Sequence, residues 1–341
     1  MKKCFTLILL LTICLENFAQ DIHFSQYHNF PLMINPAYTG NFNGMMRVSG
    51  IYRNQWFTVQ NNGAFGTYQT MGLSVDGSIL KEQLDLDRLN IGLCLYSDHA
   101  GGGSLTSQEA LASISYRKAT DRFNKSSLSL GLQGGMVFKR VFVGDLLFET
   151  QAEEFGFNPN LFNGETNIDG RTFMYPDLNV GGMWQHEATD YVAYYISASV
   201  YHIAEPRETF LGNDSNFIPR RYNFNTGFDF NINDEIVLSP SVLFMQQASA
   251  SQLNAGMTFK YFFEEDLMGY ALVRYRGWSD AFIFGVGLKK GAWRGTLTYD
   301  LTTSNLNIAN SGQGGIEFSL EYIYKSEKTS RRRRDQFCPS F

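Results

Sequence analysis

From residue 191 to residue 202 the chain alternates. Val192, Tyr194, Ile196, Ala198 and Val200 fall on one parity, and Ala193, Ser197 and Ser199 on the other. Successive side chains of a strand point to opposite faces, so the stretch predicts a strand with one apolar face and one small or polar face. The pattern recurs along the chain. Leu128, Leu130, Leu132, Met136 and Phe138 oppose Ser127, Ser129, Gln133 and Lys139. Leu89, Ile91, Leu93 and Leu95 oppose Asn90, Gly92 and Cys94, and Ile316, Phe318, Leu320, Tyr322 and Tyr324 oppose Glu317, Ser319 and Glu321. The alternation and its turn signals predict strands near 45–57, 66–79, 89–98, 103–117, 126–138, 176–187, 191–202, 219–231, 234–246, 250–262, 266–276, 280–289, 292–301 and 314–324. Pro240 lies inside one of them, where a missing ladder donor predicts a bulge or a strand end.

Two architectures hide one face of such strands. A soluble sandwich buries it against a second sheet, and a membrane barrel turns it to lipid. The polar parity carries Arg47, Arg53, Asp76, Lys139, Arg294 and Asp300, which suits a polar lumen, and Tyr, Phe and Trp crowd the strand ends as interfacial girdles. The longest connections, near 140–175, 203–218 and 302–313, are all odd-numbered in chain order. An even-stranded barrel with both termini inside puts its odd connections outside, where long loops belong. The expected fold is all-β, a transmembrane antiparallel outer-membrane barrel of about 14 strands. A soluble periplasmic sandwich is the competing fold.

Composition agrees. Aromatics make up 15% of the 341 residues, Gly occurs 32 times and Pro 8 times, which suits many strands joined by turns. The net charge of −5 gives no reason to expect nucleic acid as a partner. Lys2 and Lys3, the apolar run Phe5 to Leu15 and the Phe18-Ala19-Gln20 junction predict a secretory signal peptide over 1–19. No apolar run of the mature chain reaches the ~18 residues of a spanning helix. The predicted layout is signal peptide 1–19, an N-terminal segment 20–44, the barrel 45–325 and a basic periplasmic tail 326–341. Cys94 and Cys338 are expected as two unpaired thiols, since two cysteines do not make a disulfide framework.

Enzymatic chemistry finds no foothold. His23, His28, His99, His186 and His202 have no metal-ligand spacing, and neither a Gly-x-Ser-x-Gly elbow nor a P-loop is present. No catalytic residue, cofactor or metal is expected. Asp145, Glu149, Glu153, Glu154, Glu165 and Asp169 crowd one connection, but without EF-hand spacing a solvated loop is the plainer reading than calcium. Arg331, Arg332, Arg333 and Arg334 form a cationic run in the tail, either solvated or a handle for an acidic periplasmic partner or anionic headgroups.

Several segments together resemble one family. His23-Phe24-Ser25-Gln26-Tyr27, then Pro31-Leu32 and Asn35-Pro36-Ala37-Tyr38-Thr39-Gly40, are similar to the opening of mature PorP/SprF proteins. Tyr52-Arg53-Asn54-Gln55-Trp56 resembles their first strand and Pro176-Asp177-Leu178-Asn179-Val180-Gly181 their mid-chain Pro-Asp motif. Ser239-Pro240-Ser241-Val242-Leu243, Tyr275-Arg276, Asp280-Ala281-Phe282, Tyr299-Asp300, Gly314-Gly315-Ile316-Glu317 and Cys338-Pro339-Ser340-Phe341 also match, so the resemblance spans the mature chain. It implies a non-enzymatic outer-membrane component of the type IX secretion and gliding machinery. Such proteins assist secretion or surface attachment of cargo such as large adhesins, which carry a family-specific C-terminal domain. The implied partners are outer-membrane lipid, that cargo domain, and periplasmic ring or peptidoglycan-anchoring components. The alternative function is a passive channel of porin or lipid-transport type.

The turn-rich run through Asn35, Pro36 and Tyr38 precedes the first strand. It is expected either to fold into the lumen or line its periplasmic mouth, packing on Arg47, Arg53 and Gln55, or to serve as an ordinary lead-in to the sheet.

Overall fold

The structure, a computed structural model, describes residues 21–57, 68–79, 84, 86–101, 105–142, 149–153, 156–158, 160–161, 172–208, 216–264, 266–277 and 280–325. Fourteen antiparallel strands close into one barrel. They are β1 (Met46–Gln55), β2 (Tyr68–Ser78), β3 (Arg88–Ala100), β4 (Leu105–Ala119), β5 (Ser126–Val141), β6 (Thr172–Glu187) and β7 (Val192–Tyr201), followed by β8 (Arg221–Asn231), β9 (Ile236–Gln247), β10 (Ala250–Glu264), β11 (Leu267–Arg276), β12 (Ala281–Lys290), β13 (Trp293–Thr302) and β14 (Gln313–Tyr324). Each strand pairs with its neighbours in sequence, and β1 closes on β14 from Met46 opposite Tyr324 to Gln55 opposite Gly315. Closure leaves no strand edge unpaired, which hydrocarbon requires.

The two faces are inverted relative to a soluble protein. Leu93, Leu130, Leu132, Phe284, Val286 and Leu320 are exposed, and their polar neighbours Asn90, Ser129, Gln133, Thr298, Ser319 and Glu321 are buried. Apolar side chains thus face lipid, and Trp184, Tyr191, Trp293 and Tyr324 stand exposed near the strand ends.

The longest connections, 56–67, 142–171, 202–220 and 303–312, share one end of the barrel; 120–125, 188–191, 232–235, 265–266 and 291–292 share the other. The long-loop end faces outward and the short-turn end faces the periplasm. Strands β3, β5 and β6 run further toward the outside than the apolar alternation predicts, whereas β4 starts two residues later than predicted. Thr106 pairs with Arg140 and Arg140 with Thr172, polar residues beyond the lipid-facing band. Pro240 makes neither bulge nor strand end. Gly227 faces Ser241 and Phe230 faces Leu238, so the register is unchanged across it, and only the intervening ladder pairs with β8 are missing. Pro240 keeps its place opposite Met257 on β10, because one lost donor does not require an extra residue.

Buried apolar side chains inside the barrel gather around residues 24–42. Tyr27, Ile34, Ala37 and Tyr38 pack with Met183, Tyr195, Leu243 and Met245, and Phe24, Phe30, Leu32 and Met33 pack with Ile51, Cys94 and Leu111. Among the described residues these two clusters are built between the wall and the N-terminal segment, and a third joins Val137, Tyr175 and Ile218.

Candidate functional site in the lumen

Asp21 lies beside His202 and Arg221, at the outer ends of β7 and β8, and Met45 donates its N–H to Tyr324 O at the periplasmic end of β14. The segment 21–45 therefore traverses the lumen from the outer to the periplasmic end. It has no sheet of its own, only three short 3-10 turns, Tyr27–Asn29, Pro31–Met33 and Pro36–Tyr38. Buried backbone groups must still find partners, and the wall supplies them through side chains. Tyr201 Oη donates to Leu32 O at 2.9 Å, Ser199 Oγ and Asn223 Nδ2 donate to Ile34 O at 2.6 and 2.9 Å, and Ser115 Oγ donates to Thr39 O at 2.7 Å.

Three charged anchors hold the segment. At the first, Glu317 accepts the N–H groups of Ser25 at 2.7 Å and Gln26 at 2.8 Å. Arg53 Nη1 reaches both Glu317 at 3.0 Å and His23 O at 2.7 Å, and its Nη2 lies 3.4 Å from Asp300. Asp300 also accepts from Ser25 Oγ at 2.7 Å and from Arg276 Nη1 at 2.9 Å, and Arg276 in turn pairs with Asp280. At the second, Asp76 binds Arg47 and accepts the Gly40 N–H at 2.7 Å. At the third, His202 sits between Asp177 at 2.9 Å and Asp21 at 2.7 Å, with Arg221 at 3.0 Å from Asp21. Burial works against the charge on His202, but Asp21 and Asp177 outweigh it and raise the imidazole to about 10. Burial likewise opposes the Asp21 charge, and His202 and Arg221 overcome it and hold the carboxyl well below the usual carboxylate range.

The sequence-selected residues fall in two groups. Asn35 caps the turn Pro36–Tyr38, its side chain accepting from Ala37 N at 2.8 Å and donating to Gly182 O and Ala198 O at 3.1 Å each. Pro36 at the first position of that turn fixes the backbone for it. The turn rests on bare glycine backbone: a Cβ on Gly131 would come within 2.3 Å of the Pro36 carbonyl carbon, and one on Gly181 within 1.9 Å of Asn35 Oδ1. Tyr38 Oη bonds Ser197 Oγ at 2.5 Å and accepts from Asn225 Nδ2 at 3.0 Å, and Arg47 Nη2 donates to Tyr38 O at 3.4 Å. Arg47 and Arg53 thus both touch the segment. Gln55 stands at the outer end of β1, partly exposed, opposite Tyr68 and Gly315. The signal peptide, Arg331 to Arg334, Cys338 and the acidic residues Asp145, Glu154, Glu165 and Asp169 lie outside the described residues. Cys94 is buried and has no disulfide partner among the described residues.

Sequence reasoning passed over Ser25, Gln26, Glu317, Asp177 and His202 as anchors. The signal was present for Glu317, a carboxylate on the polar parity of a lipid-facing strand, but its partner is 292 positions away.

A model of the family described as Type IX secretion system membrane protein PorP/SprF matches residues 16–322. The chain belongs to this family. As a PorP/SprF protein it is an outer-membrane barrel of type IX secretion. Among solved structures, the Pseudomonas putida toluene transporter TodX is similar with a TM-score of 0.52 at 11% identity, covering 89% of this chain and 98% of TodX. The CymD monoaromatic hydrocarbon channel gives 0.50 at 10% identity, covering 87% and 93%. Those likenesses are of fold alone. A search among curated proteins found no match.

Proposed function

We propose that this PorP/SprF barrel is a closed, machine-associated holder of secreted cargo. In this reading it assists secretion or cell-surface attachment of proteins such as large adhesins through their C-terminal domain. Its further partners are periplasmic ring or peptidoglycan-anchoring components of the secretion machine. The observation that carries the reading is the occupied lumen. A segment stapled by Glu317, Asp76 and the His202 cluster fills the space that a passive conduit needs. A closed barrel in a secretion machine acts by what it docks rather than by what it lets through. The basic run Arg331 to Arg334 offers such docking an electrostatic handle on the periplasmic side.

The second reading, a channel of porin or lipid-transport type, draws on the fold shared with TodX and CymD, a transporter and a channel. Affinity capture from membranes in mild detergent tests the first. Recovery of a large surface protein through its C-terminal domain is expected, and capture of none, together with steady conductance of the purified barrel in planar bilayers, would favour the channel.

A further inference from the structure

Arg274 is buried on the inner face of β11, and among the described residues no carboxylate pairs with it. Its Nη1 donates to Tyr27 Oη and to Ser241 Oγ at 3.0 Å each, its guanidinium lies 4.9 Å from the centre of the Tyr27 ring, and its Nε has no acceptor. Beside Tyr27, at 5.7 Å between ring centres, is His28, also buried, with neither Nδ1 nor Nε2 bonded. A buried cation without a counter-ion and a buried imidazole with two unmet nitrogens are each destabilising. Both border the Tyr27 ring, and together they describe a recognition surface for a negative group.

The surroundings have the same sign. Lys260 is matched by Asp229 at 3.3 Å and Arg294 by Glu321 at 2.8 Å. Arg274 is the third cation of this group, beside those two pairs. Lys289, opposite Arg294 in register, adds a fourth cation toward the periplasmic mouth. As a neutral imidazole His28 offers one N–H donor and one acceptor. Toward the periplasmic mouth Lys289 and Arg294 are partly exposed, and Lys260, Tyr270, Leu272 and Thr296 lie buried between them and Arg274.

We propose that Arg274 and His28 form a buried binding site for one small oxyanion, a phosphate or a carboxylate. The guanidinium edge supplies charge-assisted donors and His28 one further donor. Because His28 and Tyr27 belong to the N-terminal segment and Arg274 to the wall, a bound oxyanion ties the two together.

The test is equilibrium dialysis of the folded barrel in mild detergent against labelled phosphate and, separately, labelled acetate, at ionic strength fixed with chloride. Saturable binding of about one ion per barrel is expected for at least one probe, weakened about tenfold or more in both Arg274→Gln and His28→Ala. The probe that binds assigns the class. Gel mobility before and after boiling reports whether each variant is folded, and if Arg274→Gln does not fold, His28→Ala alone is read. No saturable binding of either probe to the unsubstituted barrel, or undiminished binding in the folded variants, overturns the proposal.

Discussion

The Arg47 guanidinium grips the Asp76 carboxylate twice, through Nε at 2.9 Å and Nη2 at 2.8 Å, across adjacent strands and almost wholly out of solvent. The same carboxylate receives the Gly40 N–H, so one side chain joins β1, β2 and the end of the lumen segment. Replacing Asp76 by Ala takes this carboxylate from a buried guanidinium and leaves a backbone donor unmet. Breaking a buried pair from one side costs about 3–5 kcal/mol. The Asp76→Ala barrel should unfold at correspondingly lower urea concentration, read by loss of the compact species on unboiled gels. A midpoint within error of the unsubstituted protein would contradict the anchor.

Glu317 holds the other end of the segment by two consecutive amides and Arg53. Glu317→Gln retains the shape and removes the charge. Hydrogen bonds to a charged group contribute about 1.5–3 kcal/mol each, against about 1 for neutral ones. The Ser25 and Gln26 amides should therefore exchange with deuterium about tenfold faster or more in the variant. Amides at Thr39 to Asn41, held by the other anchor, should change less.

Gly131 lets the turn Pro36–Tyr38 lie directly on β5. The atoms a Cβ would meet are backbone atoms of Pro36 and Ala37, which no side-chain rotation can move aside. Gly131→Val should push the turn out of its seat while leaving the strand itself intact, since Val is at home in a strand. Cys94, buried against Phe24, Phe30 and Leu32, gives the readout. In a protein with Cys338 replaced, maleimide labelling of Cys94 should be slow for the parent barrel and fast for Gly131→Val.

The His202 anchor carries a pH signature. Its imidazole is raised from about 6.5 to about 10, so its contribution is complete below about pH 6.5 and declines as pH rises toward 10. Asp21 is depressed, so its contribution is complete above about pH 4 and is lost only in stronger acid. Stability conferred by the pair is therefore greatest between those limits. Raising pH from 6 to 10 should loosen residues 21–23, measured as faster proteolysis near the N-terminus. In His202→Gln that pH dependence should flatten.

Much of the architecture was legible in the residues themselves. The parity of Leu128, Leu130 and Leu132 against Ser127 and Ser129 marks β5 and its lipid face without any knowledge of its neighbours. The outer extensions of β3, β5 and β6 escaped, because Lys139, Arg140 and Thr172 pair where the apolar alternation has ended. Pro240 misled because a bulge is only one response to a missing donor, and here the partner strand simply forgoes the bond.

The linear order of side chains determined the number of strands, their inner and outer faces and the polarity of the interior. Each of those properties is local, fixed by the two-residue repeat of an extended backbone in contact with hydrocarbon. What stands inside the barrel was decided by the closed fold. Inward Ser, Asn, Asp and Glu look alike whether they meet water or a returning stretch of chain. Ser25 meets Glu317, 292 positions on, only because closure of β1 on β14 brings the first and last strands side by side.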